Sequence, residues 1–177
     1  MGAPSSDSER RLLTEQVGLL YRQGPAGITA TPLLATISVP VLWDVVNTAW
    51  LVGWYVVTMA VVAIRYLLIR GHRRCDDWQS DVERWRDLFI YPALATGAGW
   101  AFLGSVMFPA ASTLHQMFVI VTIYGISAGA VSLLSPLRQL CFPFLLVISI
   151  PLIMRLVLTG DPMLAVIAAT IAIYLLI

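Results

Sequence analysis

The stretch AWLVGWYVVTMAVVAIRYLLI, residues 49–69, followed at once by RGHRR, residues 70–74, decides the fold. It is long, apolar and nearly uncharged, and at about 1.5 Å per helical residue it matches the roughly 30 Å hydrocarbon core of a bilayer. The arginine cluster that ends it marks a cytoplasmic boundary.

The same pattern repeats on both sides of this stretch. Toward the C-terminus, the mixed-charge segment RGHRRCDDWQSDVERWRD (70–87) leads into a third apolar run at 88–108. The turn PAASTLHQ (109–116) precedes a fourth run at 117–134, SPLRQ (135–139) a fifth at 140–158, and TGDP (159–162) a sixth that begins at Met163. Toward the N-terminus, the turn DVVNT (44–48) precedes the first run, 26–43, which contains Pro32 and Pro40 and is therefore expected to be kinked or unwound. Trp43, Trp50 and Trp54 bracket that turn as an interfacial aromatic belt. Residues 8–23, SERRLLTEQVGLLYRQ, place Leu12, Leu13, Val17, Leu20 and Tyr21 on one helical face, with Ser6 and Glu9 at capping-box spacing, and Gly24-Pro25 is expected to end that helix. The expected fold is all-α and polytopic: a cytoplasmic amphipathic helix over 1–24, then six transmembrane helices over 25–177.

Composition agrees. The chain is 59% hydrophobic and 12% charged, with a mean hydropathy of +0.83, well beyond the needs of a soluble core. Its formal net charge is +1 and it contains no lysine, so no nucleic-acid footprint is present. Cys75 and Cys141 are expected to be free thiols facing the reducing side. Residues 1–11 lack the basic-then-apolar order of a cleaved signal peptide and are expected to stay on the mature chain.

The arginines set the orientation. Arg10, Arg11 and Arg22 precede the first span, Arg65, Arg70, Arg73, Arg74, Arg84 and Arg86 are counted with the loop after the second, and Arg138 follows the fourth; Arg155 alone falls on the other side. The N- and C-termini are therefore expected to be cytoplasmic. Residues 163–177 cover roughly 22 Å at about 1.5 Å per residue, so the sixth span is expected to continue past Ile177.

Small residues recur every four positions in the third run, at Ala93, Gly97, Ala101 and Ser105, and the fourth carries Gly125 and Gly129 as a GxxxG pair. Such stripes let helices approach closely, within one bundle or across a dimer. Leu103 is off that stripe and is expected to tolerate truncation. Arg155 is an ionisable group in an apolar run near the outer boundary, which makes it a functional candidate by default. Asp161, His115 and Asp44 fall at similar depth, so these four residues form the candidate ligand site, with an anionic or amphiphilic small molecule as its occupant. The bland alternative is an Arg155 that snorkels or pairs with Asp161. Met107, His115 and Met117 suggest Cu(I) only weakly, so neither metal nor cofactor is expected. No catalytic constellation appears, and the acidic residues Asp44 and Asp161 lie in turns, which disfavours a coupled transporter or channel subunit.

Residues 9–25 (ERRLLTEQVGLLYRQGP), the pair Leu42-Trp43, and the segments FPAASTLHQMF (108–118), GISAGAVSLLSP (125–136) and RLVLTGDP (155–162) resemble the N-terminal membrane module of bacterial sensors of the MASE type. These modules precede GGDEF diguanylate cyclase domains, GGDEF-EAL tandems or histidine kinase cores. The resemblance covers essentially the whole chain. It implies an inner-membrane sensory and dimerisation module that regulates cyclic-di-GMP synthesis, or alternatively a phosphorelay, through an output domain following residue 177. Such outputs work as dimers, so a homodimer is implied, with the signal carried by a shift of the sixth span.

Orientation is directly testable. Thiols placed at Ser112 and Gly160 should react with an impermeant maleimide in intact cells and native Cys75 should not; labelling of Cys75 from outside would reverse the topology.

Overall fold

In hydrocarbon a backbone N–H or C=O has no water to bond, so each apolar run must close its own hydrogen bonds as a helix. The computed structural model describes residues 5–75 and 77–176, apart from the side chains at 5–9, 26 and 176. The capping-box side chains Ser6 and Glu9 thus lie outside the described residues. Six helices follow in order: α1 (Ser5–Leu42), α2 (Thr48–His72), α3 (Val82–Ser105), α4 (Thr113–Leu134), α5 (Arg138–Leu158) and α6 (Pro162–Leu176). Helices α1 to α5 are long and apolar enough to cross a membrane. Helix α6 is apolar but, at 15 residues, reaches about 22 Å of the roughly 30 Å needed. Among the described residues, five helices rather than the expected six are thus long and apolar enough to cross a membrane.

Gly24-Pro25 does not end the first helix. One buried stripe, Val17, Leu20, Tyr21, Gly24, Thr31, Ala35, Ser38 and Leu42, runs through that point without a change of phase, so packing on the bundle holds the helix together. Pro25, Pro32 and Pro40 lie inside α1, and each removes an N–H that would have bonded the carbonyl four residues earlier. Hydroxyls bond back to other carbonyls of the helix: Thr31 donates to Gly27 O at 3.0 Å and Ser38 to Leu34 O at 2.8 Å. The amphipathic segment and the first span are thus one continuous rod.

Helix α3 is the centre, touching α1, α2, α4 and α5, and its main neighbour is α5. Its small-residue stripe explains the close approach. A Cβ built on Gly97 would sit 3.1 Å from the Phe144 ring of α5, and one on Gly104 would collide with Ile123 of α4. Ala93 and Ala101 are buried beside them, while Ser105 bonds back to Ala101 O at 2.6 Å. The GxxxG pair of α4 behaves differently: a Cβ on Gly125 or Gly129 would meet nothing within 4 Å. Leu103, expected to be tolerant, is fully buried; it lies off the stripe but on another packed face of the same central helix.

Trp54 is likewise not a belt residue. It is buried, donates Nε1 to Gly99 O at 2.7 Å and meets Trp100 edge-on with ring centroids 5.2 Å apart, tying α2 to α3. Trp43 and Trp50 are exposed, as a belt requires. Helix α6 lies along α5, burying Leu164, Ala168 and Ile171, and meets α4 where Tyr174 packs against Tyr124 with ring centroids 5.4 Å apart.

Gly97→Leu should lower the thermal stability of the detergent-solubilised chain by about 1–3 kcal/mol through overpacking on Phe144, and Leu103→Ala by roughly 2 kcal/mol through its cavity. Gly125→Leu, which faces open space, should shift the melting temperature little.

Candidate functional site

The open space beside Gly125 and Gly129 is part of a groove of about 130 Å³ in the bundle. Helix α1 lines it from Leu20 to Leu34, a length of roughly 21 Å at about 1.5 Å per residue. Helix α3 contributes Phe89, Ala93 and Thr96, and α5 contributes Phe144. Helix α4 supplies Gly125, Ile126 and Gly129 with Leu133 and Leu134 below them. Ala30, Gly125 and Gly129 are exposed, so the groove opens on the outer surface of the bundle between α1 and α4, where lipid would be.

One charged side chain enters it. Arg65, on α2, lies seven residues before His72, about 10 Å along the helix from its C-terminal end. Its surface is half-buried because the groove reaches it, while protein surrounds the guanidinium on most other sides. Room for the head comes from Gly27, whose absent Cβ would lie 3.5 Å from Nη2. The head stands 5.8 Å from the centre of the Phe89 ring, and its one polar contact among the described residues is Nη1 to Thr96 Oγ1 at 3.5 Å, a long and weak bond. Thr96 in turn donates to Pro92 O at 2.8 Å, satisfying the helix rather than the arginine. Among the described residues no acidic side chain lines the groove, and their ion pair, Arg86 with Asp87 at 2.9 Å, lies elsewhere.

The four residues expected to form the site do not converge on a cavity. Arg155 places its head 6.0 Å from the centre of the Phe108 ring, and its buried Nε has no hydrogen-bond partner. His115 Nδ1 lies 2.6 Å from Ser112 Oγ in the turn before α4. Asp161 is exposed and caps α6 by accepting from Met163 N at 2.8 Å. Asp44 is exposed in the turn between α1 and α2. The residue missed as a site candidate is Arg65, although an arginine inside AVVAIRYLLI met the criterion applied to Arg155.

A second missed feature sits where the early turns of α1, the C-terminal end of α2 and the start of α3 meet. Tyr21 stacks on His72 with ring centroids 3.9 Å apart and planes 6° from parallel, and its hydroxyl donates to Trp85 O at 3.0 Å. Trp78 and Trp85 close around His72 at 4.7 and 5.1 Å. Arg10 donates to Ser80 O at 3.1 Å, so the segment between α2 and α3 folds back on the early turns of α1. An open cleft of about 680 Å³ lies beside this cluster, bordered by Glu15, Arg22, Arg73 and Cys75.

No protein-family model, curated protein or solved structure matches the chain significantly. What the molecule offers chemically is therefore read from the groove itself: an apolar slot, open to the side, with one guanidinium that lacks a counter-charge.

Arg155→Ala should cost about 0.5–2 kcal/mol through its lost contact with Phe108, and Asp161→Ala about 1 kcal/mol through its lost cap. The double variant should melt at the temperature that the two single shifts sum to, within experimental error. A clear coupling between them would reveal an Arg155–Asp161 pair.

Proposed function

We propose that this chain is the membrane-embedded sensory and dimerisation module of a bacterial inner-membrane signalling protein, regulating a C-terminal diguanylate cyclase. The observation that carries the reading is the groove: the turns joining α1 to α2, α3 to α4 and α5 to α6 are short, yet an arginine without a counter-charge faces a slot open to lipid. A signal taken from within the bilayer needs no extracytoplasmic domain. The resemblance to MASE-type modules supplies the output class, with a hybrid histidine kinase as its alternative. A coupled transporter fits less well, because no carboxylate lines the groove to carry a proton or cation.

In this reading α6 continues as a sixth span and both termini are cytoplasmic. The early turns of α1 rest on the cytoplasmic face, held by Tyr21 and Arg10. Helix α6 is the transmitting element, since it rides mainly on α5 and a small displacement of it costs few contacts.

The test is to extend residues 1–177 with the native downstream sequence and assay cyclic-di-GMP synthesis and autophosphorylation in nanodiscs, alongside crosslinking for dimers. Ala168→Leu, which wedges α6 away from α5, should change output activity severalfold. A downstream sequence that encodes neither output, or a strictly monomeric chain, would remove the proposal.

A further inference from the structure

The geometry points to a specific class of ligand for the groove: a single-chain carboxylic amphiphile, a long-chain fatty acid, whose carboxylate pairs with Arg65 and whose tail lies between α1 and α4. This deepens the sensory reading and rests on it for biological meaning, though the binding itself can be measured alone.

Charge selects the head group. A guanidinium presents five N–H donors, and that of Arg65 has only the long contact to Thr96 Oγ1 at 3.5 Å. A cation held inside a bilayer calls for a counter-charge, and the lining residues provide none. One carboxylate balances one guanidinium and matches its fork in two parallel bonds. A phosphate monoester, with nearly two negative charges, would leave one of them uncompensated in hydrocarbon.

Shape selects the tail. The slot runs along α1 from Leu20 to Leu34 with a volume of only about 130 Å³, too small to enclose a whole acyl chain, so a single chain would lie along it with most of its surface against the surrounding lipid, and the pair carried by a phospholipid would not enter. Glycines at 125 and 129 leave its wall smooth, and their exposure opens a side entrance from the membrane. Arg65 lies toward the cytoplasmic end of α2, about 10 Å in, so a tail extending toward the bilayer centre and a head drawn to the inner leaflet are both accommodated.

The experiment uses residues 1–177 in phosphatidylcholine nanodiscs with a diazirine analogue of oleate. Crosslinks should map to α1 and α4, and oleate should compete while oleyl alcohol, which keeps the tail and loses the charge, should not. Arg65→Gln should weaken oleate binding by on the order of tenfold or more, the loss of one charge-assisted pair, and Arg65→Lys should retain part of it. Gly129→Leu should block the slot without lowering the melting temperature, and Gly53→Leu, on an exposed face of α2 with nothing within 4 Å, should do neither. Equal labelling of all variants would reduce the effect to partitioning into lipid and overturn the site, as would stronger competition by lysophosphatidate than by oleate. If binding holds but oleate leaves the output of the extended protein unchanged, the sensory reading fails and the site stands; if output responds to another signal without oleate binding, the reverse follows.

Discussion

Every feature of this bundle depends on the absence of a hydrogen-bond partner for the backbone in hydrocarbon. That constraint forces helices, and it makes each internal proline a local debt of one N–H. Pro25, Pro32 and Pro40 sit in α1, Pro92 in α3, and Pro143 and Pro151 in α5. The helices survive because one face of each stays packed through the proline, and because hydroxyls such as Thr31, Ser38 and Thr96 stay bonded within their own turns. In water the chain could have left the helix at Gly24-Pro25; against α2 and α3 it gains more from keeping its stripe in register.

Small residues then decide where helices touch and where they part. On α3, Gly97 and Gly104 are filled by Phe144 and Ile123. On α4, Gly125 and Gly129 repeat the four-residue spacing of Ala93, Gly97 and Ala101 but have no such neighbour. The difference lies in the partner: α5 presents an aromatic ring to α3, whereas α1 presents Gly27 and Ala30 toward α4, so small faces small and a slot remains. Spacing alone does not distinguish a contact from a gap. The side chains of the helix opposite do.

This is also where legibility in the sequence ends. The second to fifth apolar runs and their turns could be read directly, because hydrophobic length against bilayer thickness is a one-dimensional property. The continuity of α1 could not, since it depends on tertiary packing that overrides a local Gly-Pro signal. Trp54 was misread for a related reason: its position near a turn suggested an interface, but its ring points inward to Gly99 and Trp100. The partnering of helices, and hence the groove, required knowing which faces meet.

Arg65 and Arg155 show the same limit at the level of single residues. Both interrupt apolar runs, but Arg65 agrees with the positive-inside rule and so drew attention only as a topological charge, whereas Arg155 breaks the rule. Agreement with that rule says which side of the membrane a charge is near, and nothing about what surrounds it. Arg155 rests against Phe108 near the end of its helix, where a long side chain can reach the interface. Arg65 points between helices, with glycine opposite it and no carboxylate along the slot. A ligand that met its charge would bridge α2 to the space between α1 and α4, and could shift a conformational equilibrium only by as much as it binds one arrangement of those helices better than another. Because Gly27, Ala30, Gly125 and Gly129 leave the slot open on one side, an occupant would add contacts there that the empty arrangement lacks. That difference in contacts is the physical requirement for a switch, and the bundle places it beside α5, the helix on which α6 rides.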